Sequence, residues 1–404
     1  MANQTQSFVP PGFGVQTAYE PFFQPDTTVN EVVTLSPSIT TKVQLQNFKN
    51  TDLVTQWYLD LDLNVTAPTG TTNTVSPLAP YSAIGSINLN VQNQFYPIQT
   101  TGIDLYIKNT MYPWYPKALA NNQTPALAPT YPVPEDRAFG YDTQTITTSS
   151  VVWEDLIPLS PAMRFDSYAH IDFQSGQTVA TNGSIYNRAY VGTQLMGGTN
   201  RSIFPEISFN PIVGSDSRSG LYTVTGTQTA AASGTATLTT YRDGYYFLGA
   251  NSIPAPTNWV PVWITYPVTI GATTKWIYDL PRTFQILGVY ARFFDPSSNT
   301  PMAVSNISAA SIKIGSGLYL RQDNYKTNLN RLYKQTKVPN LLPQGTIGFD
   351  FAHDENGNVT NRMAINTIVT NGAQIEVDLT TPMSSQGVVY LSVMALQYVQ
   401  NASL

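Results

Sequence analysis

The run Trp57-Tyr58-Leu59-Asp60-Leu61-Asp62-Leu63-Asn64-Val65 alternates without a break. Trp57, Leu59, Leu61, Leu63 and Val65 point one way, and Tyr58, Asp60, Asp62 and Asn64 point the other. A period of two puts one face of a strand into a core and leaves the other on a surface, which no helix can do with this pattern. The same alternation recurs at Ile87/Leu89/Val91 and Ile103/Leu105/Ile107, with Asn88, Asn90, Asp104 and Lys108 opposite. Later strands are expected at Ile347–Phe351, at Ile375/Val377/Leu379 against Gln374/Glu376/Asp378, and at Val389/Leu391/Val393. Short strands divided by Gly, Pro and Asn predict antiparallel sandwiches or barrels.

Composition narrows the chemistry. Of 404 residues 42% are hydrophobic, enough for real cores, and only 11% are charged. A net charge of -5 lacks the cationic surplus that grips phosphates, so no direct nucleic-acid binding is expected. The absence of cysteine excludes disulfides, thiolate metal sites and a cysteine nucleophile. The start of the chain has no signal-peptide pattern and no run reaches the ~18 apolar residues of a membrane span, so synthesis in a cytosol is expected.

Residues 1–27 carry Pro10, Pro11, Pro21 and Pro25 among five aromatics and no Lys or Arg, and read as an extended arm. A boundary is placed near 246–262, where Asn251 to Asn258 is rich in turn formers. The expected units are the arm 1–27, a first barrel 28–245 and a second barrel 246–404. Irregular stretches at about 112–142 and 212–236 read as long functional or exposed loops. One amphipathic helix is expected over 323–337: Asp323 as N-cap, Tyr325, Leu329, Leu332 and Tyr333 on one face, and Pro339 beyond its end. Lys326, Arg331, Lys334 and Lys337 make it basic, fitting lipid head groups, nucleic acid or acids of a neighbouring subunit.

Three groups carry candidate chemistry. Asp60 and Asp62 stand two apart on one strand face, a spacing a glycosidase would use, but alternation alone also places acids there. His170 and His353 are the only histidines and lie far apart in the chain, without zinc spacing. Asp354-Glu355-Asn356-Gly357-Asn358 lacks the terminal Glu of a calcium loop, and Asn356-Gly357 reads as a hairpin turn. No catalytic, cofactor-binding or metal residue is assigned. Met111-Tyr112-Pro113-Trp114-Tyr115 would suit sugar stacking in a carbohydrate-binding spike or lectin-like sandwich, the alternative to a structural role.

The order of motifs resembles the major capsid proteins of tectivirus-like, membrane-containing tailless bacteriophages, whose double jelly roll is shared with adenovirus hexon. Tyr81 to Leu89, Gln94, Thr101 to Leu105 and Trp153-Glu154-Asp155-Leu156-Ile157-Pro158-Leu159-Ser160 look like strands of that family's first jelly roll. The basic helix followed by Leu342-Pro343-Gln344-Gly345-Thr346-Ile347-Gly348-Phe349-Asp350-Phe351 looks like the final part of its second. The resemblance implies an all-β chain of two eight-stranded antiparallel jelly-roll barrels with one or two short helices. It implies a non-enzymatic capsid protein of the virion, with homotrimers of pseudo-hexagonal outline tiling an icosahedral shell over an internal membrane. The implied partners are neighbouring capsomers, minor capsid, vertex or spike proteins, and membrane lipids. The chain lacks that family's helical, Gln-rich N-terminal segment.

Overall fold

The computed structural model describes residues 22–27, 30–46, 53–91, 95–112, 142–159, 194–195, 203–246, 259–297, 300–302, 304–315, 317–336, 342–352, 364–367 and 372–398. The first half runs β1 (Phe22–Thr27), β2 (Glu31–Leu35), β3 (Thr41–Gln44), β4 (Leu53–Thr66), β5 (Thr72–Val75), β6 (Ile84–Val91), β7 (Phe95–Thr100), helix α1 (Gly102–Met111), β8 (Asp142–Ile146), β9 (Ser150–Pro158), β10 (Gln194–Leu195), β11 (Ile203–Phe209), β12 (Tyr222–Thr225) and β13 (Ser233–Tyr246). The second runs β14 (Trp259–Thr269), β15 (Lys275–Asp279), β16 (Phe284–Asp295), β17 (Thr300–Pro301), β18 (Ile307–Ile314), β19 (Leu318–Asp323), helix α2 (Tyr325–Thr336), β20 (Thr346–Asp350), β21 (Ile365–Asn366), β22 (Ala373–Leu379) and β23 (Val388–Tyr398).

Two pairs of sheets follow from the pairing. In the first half β2-β13-β4-β9 lies against β3-β11-β6-β7, and in the second β14-β23-β16-β20 lies against β15-β22-β18-β19. Counting eight principal strands in chain order, each half pairs them 1-8-3-6 and 2-7-4-5, the order of a jelly roll. Each pair encloses its own core. Trp57, Leu61, Ile87, Trp153, Ile207 and Leu238 are buried in the first, and Ile286, Phe293, Ile312, Ile347, Ile375 and Val393 in the second. The alternation at 57–65 holds, since Trp57, Leu59, Leu61, Leu63 and Val65 are at most 1% exposed while Asp62 and Asn64 are open to solvent.

Four expectations change. Ile103/Leu105/Ile107 is not a strand but lies in α1, and its supposed outward residues Asp104 and Lys108 are buried. A helix covered on every side shows no polar face, so its period does not stand out. Its start is still written in the chain: Thr101 is the N-cap, its Oγ1 accepting from the Asp104 backbone N–H and donating to Asp104 Oδ2. The second helix forms as expected but one residue later. Asp323 ends β19, buried and ion-paired with Arg331 at 3.3 Å, while Asn324 caps α2 through the Thr327 N–H. Residues 212–236 are not one loop, because β12 pairs with β5 and β13 begins at Ser233. The last six residues of the expected arm form β1, paired antiparallel with the far half of β13. The Asn356-Gly357 hairpin lies outside the described residues.

Leu63→Ala should lower stability by about 2–5 kcal/mol, since a leucine closed into a sheet core leaves a cavity. Asn64→Ala, one position along on the open face, should change it by less than about 0.5 kcal/mol. Urea unfolding followed by tryptophan fluorescence checks both.

Candidate functional site

The most constrained polar region is the seam where the two halves meet. There β7 and β14 run parallel, with Ile98 opposite Trp263 and Gln99 opposite Ile264, so that one ten-stranded sheet passes through both halves. α1 follows β7 directly and lies over the outer face of β14-β23-β16. Its Ile107 and Met111 pack with Trp263, Leu287, Tyr290 and Met394, and Ile103 with Phe294. Its Leu105 and Tyr106 turn back into the first core.

Polar groups at the seam are paired across it. Arg292 of β16 donates through Nε and Nη2 to Asp104 Oδ1 and Oδ2 of α1 at 3.0 and 2.8 Å, a two-pronged bond with side chains 3% and 0% exposed. The same guanidinium lies 4.2 Å over the Tyr390 ring. Thr100, Thr265 and Ser392 form a row of hydroxyls from β7 to β14 to β23, at 2.7 and 2.9 Å, and Trp263 Nε1 donates to Thr100. At the far end of α1 the Tyr112 and Tyr290 hydroxyls lie 3.0 and 3.1 Å from Asp350 Oδ2. Burial and the Asp350 charge hold both phenols well above their ordinary pKa. Gly288 makes room for this cluster, because a Cβ there would stand 2.1 Å from the Tyr112 oxygen. Lys108, buried beside Asn109, has its ammonium pulled down to about 7 by burial. A cleft of about 550 Å³ opens along the seam, lined by Asn88, Gln99, Asn210, Arg218, Arg292 and Tyr390 among others.

The residues singled out from the sequence fall elsewhere. Asp60 and Asp62 stand on the outer face of β4, and the sheet brings up a third acid that the sequence reading missed: Glu154 of β9, directly opposite Asp62. Burial and the neighbouring Asp62 raise the Asp60 carboxyl, whose Oδ2 accepts from Tyr241 at 3.4 Å. Among the described residues these acids share one sheet face and line no cleft that would seat a sugar between them. Tyr112 is 5% exposed and packed in the seam, so it offers no stacking platform, while Pro113 to Tyr115 lie outside the described residues. His170, His353 and the 354–358 segment are also outside them. The Arg292–Asp104 pair was missed because its members are far apart in sequence and Asp104 was read as a surface residue.

No protein-family model matches the chain, and no curated protein matches it. Solved structures do. The Sulfolobus turreted icosahedral virus structure shares 14% identity at a TM-score of 0.53, over 93% of this chain and 91% of that one. The PBCV-1 virus capsid shares 11% at 0.54, over 93% and 94%. The Faustovirus major capsid protein shares 9% at 0.51, over 95% and 92%. The likeness is one of fold, the double jelly roll, along nearly the whole chain.

Two outcomes test the seam. Arg292→Met should cost about 3–5 kcal/mol because it strands a buried carboxylate, and adding Asp104→Leu should recover much of the loss in denaturant unfolding. Lys108 has a folded pKa near 7 and an unfolded one near 10.4, so between those values the unfolded chain holds the extra proton. Stability should therefore rise with pH through that window, by up to about 1.4 kcal/mol per pH unit, relative to a Lys108→Met chain measured alongside.

Proposed function

We propose that this chain is a major capsid protein: a non-enzymatic subunit whose two barrels, 28–245 and 246–404, tile the icosahedral shell of a tailless virus. One observation carries the reading. Two jelly rolls are locked in one chain by a continuous sheet, a buried ion pair and an intervening helix, and the PBCV-1 virus capsid and the Faustovirus major capsid protein are similar to this double fold along nearly the whole chain. Such a rigid pair of blocks suits a shell, where each unit must present the same edges to every neighbour. The few charges favour permanent contacts made by apolar side chains and backbone bonds.

In this reading the building block is a homotrimer with six barrels around its axis, closed by rotation so that each contact between subunits is identical. Its partners are neighbouring capsomers, minor capsid, vertex or spike proteins and the lipids of an internal membrane, and its place is the virion, after synthesis in the host cytoplasm. Light scattering on purified protein should give about three times the 44.3 kDa chain mass, unchanged on dilution to micromolar concentration. A stable monomer there would remove the reading.

A further inference from the structure

The two halves repeat one topology, and the seam uses only half of the surfaces that this repeat creates. β7, the fifth strand of the first barrel, pairs with β14, the first strand of the second, and α1 after β7 covers the outer face of β14-β23-β16. The equivalent of β7 in the second barrel is β19, and the equivalent of β14 in the first is β2. Both are open. β19 is the edge of its sheet with Leu318, Tyr319 and Leu320 exposed by 68%, 48% and 46%, and β2 exposes Val32 by 66%.

The helices after these strands correspond residue by residue. With N-cap set on N-cap, Thr101 on Asn324, the α1 positions that bury themselves on the other barrel, Ile103, Ile107 and Met111, fall on Lys326, Asn330 and Lys334 of α2. Those three are exposed. The inward positions Leu105 and Tyr106 fall on Asn328, which bonds the Gly348 backbone of its own barrel, and Leu329, which packs on its own core. The face α2 would cover by analogy is the outer side of β2-β13-β4-β9. A row there reads Val32, Thr237, Asp62, Glu154, with Asp60 in the next row. Asp62 and Glu154, two like charges directly opposite on paired strands, destabilise an isolated sheet and call for a cation. α2 has no acid and supplies Lys326 and Lys334, while its Arg331 is paired with Asp323 of its own barrel.

We propose that β19 and the basic face of α2 dock on β2 and the acidic outer face of the first barrel of a second copy of this chain, repeating the intrachain seam between chains. The inference rests on the oligomeric shell reading and identifies the surfaces that make it. In the intrachain seam the three outward helix positions Ile103, Ile107 and Met111 make an apolar contact, while at the equivalent positions of α2 charge complementarity selects the partner.

Charge reversal tests it in the full chain. Lys326→Glu with Lys334→Glu, and separately Asp62→Lys with Glu154→Lys, should each raise the concentration at which the oligomer dissociates at least tenfold, and all four together should restore it. Thermal unfolding of each isolated variant should match the parent, because all four side chains are exposed. An oligomeric parent whose reversal variants remain oligomeric at every dilution overturns this docking and leaves the shell reading standing. A monomeric parent overturns both. Reversal of the lysines that abolishes flotation with phosphatidylserine vesicles while the oligomer persists assigns α2 to lipid and also overturns it.

Discussion

A carboxylate and a guanidinium removed from water together lose several kcal/mol of hydration each, and only close, doubly bonded geometry offsets the loss. Asp104 and Arg292 meet that condition, and much of the fold is arranged so that they can. Asp104 is held by its own helix cap, since Thr101 bonds it from below. Arg292 is held flat by Tyr390. The hydroxyl row across β7, β14 and β23 then pairs Thr100, Thr265 and Ser392 with one another where the two sheets become one. A buried pair of this kind is weak support for stability but specifies geometry, because a small rotation of one barrel against the other would leave two charges unpaired in a dry interior.

Strands with one open face announced themselves in the sequence, as at 57–65, because solvent on one side imposes the alternation; 373–379 alternates as well, with its buried Glu376 paired to Lys275 and Lys313. Elements covered on both sides did not. α1 was misread since Asp104 and Lys108, which look like an outward face, are buried by the second barrel, a neighbour no local pattern can reveal. Thr101 and Asp104 mark the helix start, a signal hidden behind three alternating aliphatics. α2 was readable because one of its faces is open. Asp323 misled only in position, its carboxylate being drawn to Arg331 while the next residue capped the helix.

The acids on β4 show a related limit. Period-two reasoning placed Asp60 and Asp62 outward, as they are, but Glu154 joins them only through strand pairing at long range. What looked like a pair of carboxylates with no third partner is a patch on a flat face. Its raised Asp60 carboxyl reflects partial burial first and the neighbouring acids Asp62 and Glu154 after it.

The contrast between α1 and α2 bears on when each contact can form. Ile103, Ile107 and Met111 would be a sticky surface on a free domain, but the linker between the barrels keeps their target at an effective concentration of order millimolar, so that surface closes as the chain folds. Lys326, Asn330 and Lys334 occupy the same positions on α2, whose target in the proposed docking is a separate molecule, met only by diffusion. Being hydrated, they let a finished subunit wait in solution without clumping. In that docking one topology carries two timings: a dry joint that is sealed during folding, and a wet joint that closes in a later step between finished chains.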